Sequence, residues 1–182
     1  MANLPIVAVS GPHGSGKSTI AKGLANLLGY TYVSAGNMFR KMADQNHLSI
    51  KEFSKVAEVN EEIDKQIDER TVNLANDKDN LVVDAQLSGW LLKDLGALSV
   101  FITAPLETRV ERMAQRDGKQ LEYTRSETII REKSEKLRYQ KLYNIDIADL
   151  SVYDLIVNSE KFDASNCIKI IMTAFKKLYK GE

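Results

Sequence analysis

The chain has 182 residues, 43 % of them hydrophobic and 27 % charged, with 25 basic residues against 25 acidic ones and no formal net charge. That length suits one domain with a substantial core rather than two, and basic residues interspersed among acids argue against a nucleic-acid-binding face. No apolar run approaches the roughly 18 residues of a membrane span, no leader pattern follows Met1, and the single Cys167 is expected to be a core-facing thiol in a reducing, cytoplasmic compartment.

Apolar strand-like runs recur at Ile6–Ser10, Tyr30–Ser34, Leu81–Ala85, Leu98–Thr103 and Leu155–Asn158. Helical patterns separate them, which predicts an α/β protein built on a parallel sheet. The first run leads into Gly11-Pro12-His13-Gly14-Ser15-Gly16-Lys17-Ser18-Thr19, a G-x-x-x-x-G-K-S stretch between a strand and a helix. That is the setting of a phosphate-binding P-loop. The glycines let successive N–H groups converge on one anion, and the helix that follows adds the positive end of its dipole. Lys17 then supplies a mobile positive charge for the outer phosphates of a nucleoside triphosphate, and the Ser18 hydroxyl suits a Mg²⁺ ion. His13 reads as a half-exposed spacer with no catalytic part, and His47 is given none either. Ile20, Leu24, Leu27 and Leu28 share one face of the next helix, which should end at Gly29.

The second run closes with Ser34-Ala35-Gly36 before a new helix, so a second anion can sit at that helix start with Arg40 reaching back as a clamp. Residues 35–80 exceed a simple crossover and read as a helical insert. Within it Ser49 and Glu52 form a capping box, and Asn60 caps a helix carrying Ile63, Ile67 and Leu74. The third run ends at Asp84, an acid at the carboxyl end of a buried strand and therefore beside the nucleotide crevice, suited to Mg²⁺ or to the acceptor side. Trp90 beyond it reads as core or crevice wall.

Arg109, Arg112 and Arg116 follow the fourth run, and Thr124 with Glu127 reads as a further capping box. Arg131 and Arg138, seven apart, share one helical face with Glu135 between them. A surface ion-pair ladder is one account of that face. The arginines as a set suit phosphoryl transfer, in which charge spreads over several oxygens and water must be excluded. The interval around 116–147 is accordingly a candidate lid. Asp64, Asp68, Arg70 and Gln86 bear the donors and acceptors that could meet a nucleobase edge.

These residues resemble the nucleoside monophosphate kinase family across essentially the whole chain. They are most similar to its short archaeal-type cytidylate kinases, through Gly14–Thr19, Ser34–Arg40, Leu48–Ser54, Arg138–Asp146 and Tyr153–Asn158. The resemblance implies a single P-loop NTPase domain over residues 1–182. It has a three-layer sandwich with a five-stranded parallel sheet in the order 2-3-1-4-5, an acceptor-binding insert (35–80) and a lid (about 116–147). It also implies MgATP as donor, CMP and dCMP as acceptors, Arg40 on the acceptor phosphate, Arg116, Arg131 and Arg138 around the phosphates in transfer, and the loop after Asn158 beside the donor adenine. A monomer is expected, with small-molecule nucleotides as its only partners and no membrane or nucleic acid. One departure stands out: relatives place an arginine where this chain has Gln86. On the residues alone, an adenylate kinase-like or shikimate-type kinase and a nucleotide-switched assembly module remain alternatives. The missing carboxylate pair at Ala35–Asn37 weighs against the shikimate type.

Overall fold

A computed structural model of the chain describes residues 5–78 and 80–179. The first residues after Met1, over which the leader pattern was sought, lie partly outside that range. The chain runs β1 (Val7–Ser10), α1 (Lys17–Leu28), β2 (Thr31–Ser34), α2 (Ala35–Gln45), α3 (Ile50–Val59), α4 (Glu62–Asp77), β3 (Leu81–Asp84) and the short α5 (Ser88–Leu91). A 3₁₀ turn at Lys93–Leu95 leads to β4 (Leu98–Thr103), α6 (Leu106–Asp117), α7 (Leu121–Tyr143), β5 (Leu155–Asn158) and α8 (Ala164–Tyr179). Among the described residues no helix is long and apolar enough to cross a membrane.

The strands form one sheet in the order β2-β3-β1-β4-β5, and every pairing is parallel. A parallel strand is covered on both faces, and β1 shows why a continuous apolar run was needed. Val7 and Val9 pack with Ile20, Leu24, Ile171 and Phe175 of α1 and α8. Ala8, one residue out of phase, joins Val33, Val83 and Leu92 on the opposite side. Cys167 is a buried free thiol within the first of these clusters. The insert carries its own small core, in which Phe39 and Phe53 meet edge-on with ring centroids 4.9 Å apart beside Ile63 and Ile67.

Two local expectations are corrected. Leu27 is 67 % exposed, and Ala21 and Ala25 fill the space beneath α1 beside Ile20 and Leu24. The sheet and α8 come close enough to α1 that alanine fits where a leucine was expected. Thr124 does not open a helix: α7 starts at Leu121, so the Thr124 hydroxyl donates back to the Gln120 carbonyl at 3.0 Å and Glu127 pairs with Lys119. The Ser49–Glu52 capping box forms as expected, and Asn60 Oδ1 accepts from the Glu62 N–H at the start of α4.

Register places the functional ends together. Val9 and Ser34 both lie level with Asp84, so the carboxyl ends of β1, β2 and β3 share one edge of the sheet. That edge is where open α/β sheets bind ligands.

Candidate active site

The loop from Gly11 to Gly16 curls through backbone angles that favour glycine, with φ 77° at Gly14 and 88° at Gly16. Space demands glycine as well: a Cβ on Gly14 would lie 2.5 Å from the Arg109 carbonyl oxygen. Beneath the loop Arg109 is a buried brace, its guanidinium donating to the carbonyls of Ala104 and His13 and pairing with Glu132. Gly16 caps α1 with no side-chain acceptor and no acid sits in the first turn. The first intrahelical bond comes from Ile20, so the N–H groups of Lys17, Ser18 and Thr19 are open to an anion.

Lys17 Nζ has one long contact, 3.5 Å to the Pro12 carbonyl. Burial pulls its pKa below the usual lysine value, and the carboxylates of Asp84 and Glu135 oppose that pull. A half-sheltered ammonium with no strong partner is a group awaiting negative charge. Asp84 lies at the adjacent strand end, 2 % exposed. Its Oδ2 accepts from the Tyr32 hydroxyl at 2.7 Å and from Ser34 Oγ at 3.4 Å, while Oδ1 accepts nothing from the described residues. Among those residues no group of three or more His, Cys, Asp or Glu could hold a metal alone. One hydroxyl and one free carboxylate oxygen fit a magnesium ion bound mainly by phosphates and water.

A single crevice joins this end to the insert; Lys17, Ser18, Ser34, Gly36, Arg40, Asp64, Asp68, Asp84 and Gln86 all line it. Ser34 caps α2 by accepting from the Asn37 N–H, and Arg40 reaches back over Gly36 while donating to Asn37. The sequence-level pairing of Ser34, Gly36 and Arg40 is therefore real in space. The loop after β5 also reaches the P-loop, because Ser159 Oγ donates to the Ser15 carbonyl at 2.7 Å and accepts from Arg112.

The arginines divide. Arg131 lines the crevice and donates through Nε to Glu135 at 3.0 Å. Arg138 stands outside it, its Nε donating to Asp64 Oδ2 at 2.7 Å and its Nη1 to Ser134. Arg116 is not brought to the crevice at all: it lies in the last turn of α6 with its side chain 68 % exposed, pinned to neighbouring Asp117. Arg70 also drops out as a crevice residue, facing a separate groove between α2 and α4 with Lys41 and Gln66.

Glu135 was legible only as a possible rung of a surface ladder, yet it is the hub of the crevice. His13 Nε2 lies 2.7 and 2.9 Å from its two carboxylate oxygens. A ring nitrogen that close to a carboxylate must carry the proton, so His13 donates. Gln86 and Arg131 donate to the same carboxylate. Burial works against its charge, but His13, Arg131 and Arg138 outweigh burial and hold its carboxyl well below the usual range. His13 is thus no spacer: it ties the P-loop to α7. Tyr139 and Tyr143, four apart on the same helix, were also missed. Tyr139 lines the crevice, and the Tyr143 hydroxyl donates to Asp68 at 2.8 Å. The available signal was their placement one turn apart beyond Glu135, on the side of α7 that meets α4.

A model of the cytidylate kinase-like family matches residues 6–161. Cytidylate kinase of Archaeoglobus fulgidus is 45 % identical over 92 % of this chain and 93 % of its own length. Cytidylate kinase of Methanobrevibacter smithii is 41 % identical over 94 % and 98 %. Among solved structures, shikimate kinase from Acinetobacter baumannii in complex with shikimate covers 97 % of this chain and 95 % of its own, with a TM-score of 0.64 at 18 % identity, which shows a shared kinase fold.

Proposed function

The chain belongs to the cytidylate kinase-like family, and on that premise we propose that it transfers the γ-phosphoryl group of ATP directly to the phosphate of CMP, and of dCMP, giving ADP and the nucleoside diphosphate. The observation that carries this reading is the continuous crevice, lined both by the P-loop residues Lys17 and Ser18 and by Ser34, Gly36, Arg40 and the acids of α4.

In this reading the N–H groups of Lys17, Ser18 and Thr19 receive the triphosphate, and the Lys17 ammonium bridges its outer phosphates. Ser18 and Asp84 are the groups that would hold a magnesium ion arriving with the nucleotide, and the ion would neutralise charge on the phosphate oxygens. Arg40 and Ser34 orient the acceptor phosphate, one of whose oxygens attacks the γ-phosphorus in line as the bond to ADP breaks. That oxygen is already ionised near neutral pH, so no general base is required. Arg131 exchanges Glu135 for the phosphoryl group in transfer. Arg138 has a different part, holding Asp64 from behind. The segment bearing α7 covers the crevice and keeps water from the donor. The reading carries with it a monomer in the cytoplasm; the buried thiol of Cys167 suits a reducing compartment.

Phosphorus NMR of the protein with MgATP and CMP tests it. Equal formation of ADP and CDP without inorganic phosphate supports direct transfer. Release of phosphate alone, or no change, overturns it.

A further inference from the structure

We propose that Asp68, with Asp64 one turn before it on α4, is the element that selects an amino-bearing pyrimidine in the acceptor position. The inference rests on the acceptor reading above and deepens it.

The crevice that Lys17 enters is also lined by Phe39, Ile67, Leu87 and Tyr139, which give a flat base apolar walls. Asp64 and Asp68 share a helical face of α4 and both line the same space. Each is tethered by one oxygen only, from the side of α7. Arg138 holds Asp64 Oδ2 at 2.7 Å and the Tyr143 hydroxyl holds Asp68 Oδ2 at 2.8 Å. Neither Arg138 nor Tyr143 lines the crevice; they border other clefts. The second oxygen of each acid accepts nothing from the described residues, although Asp64 is only 6 % exposed. The Tyr139 hydroxyl likewise meets no partner among them, while Tyr139 lines the same crevice. Carboxylate acceptors beside a phenol donor match the edge that cytosine presents, an exocyclic amino group next to a ring acceptor. Uracil reverses both groups, setting a carbonyl oxygen against carboxylates and an N–H against the phenol donor. A site built to hydrogen-bond one polar edge rejects the other strongly, because its buried groups are left unpaired. The other base-reading candidates are engaged elsewhere: Gln86 donates to Glu135, and Arg70 faces a different groove.

The test compares kcat/KM for CMP and UMP at saturating MgATP and at a pH above neutrality, where Asp68 is ionised, in the wild type, Asp68→Asn and Tyr143→Phe. Equilibrium binding of CMP and UMP is measured alongside without ATP. The proposal predicts a wild-type preference for CMP that falls at least tenfold in Asp68→Asn, through KM more than kcat, and at least threefold in Tyr143→Phe. Tyr143→Phe removes the tether on Oδ2 and leaves the acid in place, so it decides the matter should Asp68→Asn not fold. An equal loss for both acceptors in either variant, or a wild type without CMP preference, overturns the assignment. The binding ratio separates the two claims. A protein that turns nothing over but loses its CMP preference in these variants would sink the kinase reading and uphold this one, whereas a wild type that binds neither nucleotide would overturn both.

Discussion

Replacing Glu135 by Gln removes the charge on which His13, Gln86 and Arg131 converge while keeping the side chain's size. The amide retains one acceptor oxygen and turns an NH₂ group toward groups that are themselves donors. Breaking a buried ion pair by removing one partner costs about 3–5 kcal/mol. Here the Arg131 side chain is 29 % exposed and can turn to water, which discounts the loss to roughly 2–3 kcal/mol. In a chain of this size that corresponds to a melting temperature lower by roughly 5–10 °C. The carboxyl is held below its ordinary value, so its contribution is present above about pH 4.5 and lost only as pH falls through its depressed folded value. The deficit should therefore be the same at pH 6 and pH 8. Because Glu135 sets a negative charge beside Lys17, its removal should leave MgATP binding as tight as before or tighter. Urea unfolding at the two pH values, with titration of MgATP, reads both effects. A loss below about 0.5 kcal/mol would refute the buried-hub argument, the ordinary range for a surface site. A tenfold weaker MgATP affinity would show instead that the carboxylate helps to bind nucleotide.

Lys17→Met should lower kcat/KM about 10³-fold, as loss of a preorganised charge at transferring oxygens does, while leaving the melting temperature unchanged or higher because a sheltered ammonium is gone; a change confined to KM would contradict that role. Gly14→Ala should cost about 3 kcal/mol by urea unfolding, since the new Cβ meets the Arg109 carbonyl and φ is left-handed. Burial lifts the pKa of Asp68 from 3.8 to about 7, with Asp64 adding to the lift and the Tyr143 hydrogen bond opposing it. The folded state thus holds this proton more tightly than the unfolded chain, and stability falls as pH rises between those values. Asp68→Asn should accordingly be more stable than the wild type at pH 8, by roughly 2 kcal/mol once partial exposure is allowed for, and no more stable at pH 4; the same difference at both pH values would contradict the sign.

What the sequence discloses here is what is local. Gly11 to Ser18 encode their own loop because glycine spacing, the preceding apolar strand and the following helix lie within one short stretch. Ser34 and Arg40 belong to one helix start, and Asp84 is the last residue of a buried strand, so the place of each in the fold follows from its neighbours alone. The hub around Glu135 was not legible because its partner His13 is 122 positions away and meets it only once α7 crosses the P-loop. Arg138 shows the same limit: periodicity put it on a face with Arg131, but not which neighbour that face would meet. Asp64 of α4 claims it, whereas Glu135 claims Arg131. The Thr124–Glu127 pattern failed for a related reason, since a local capping motif cannot report that the helix has already begun at Leu121.

In this reading one crevice holds an ATP donor and a cytosine nucleotide acceptor for direct transfer. Coupled release of ADP from MgATP, measured with CMP, dCMP, UMP, AMP and GMP in parallel, tests it most directly. Turnover with CMP and dCMP should lie well above the other three. Preference for AMP or UMP would contradict the acceptor assignment, and no turnover with any of them would contradict the transfer itself.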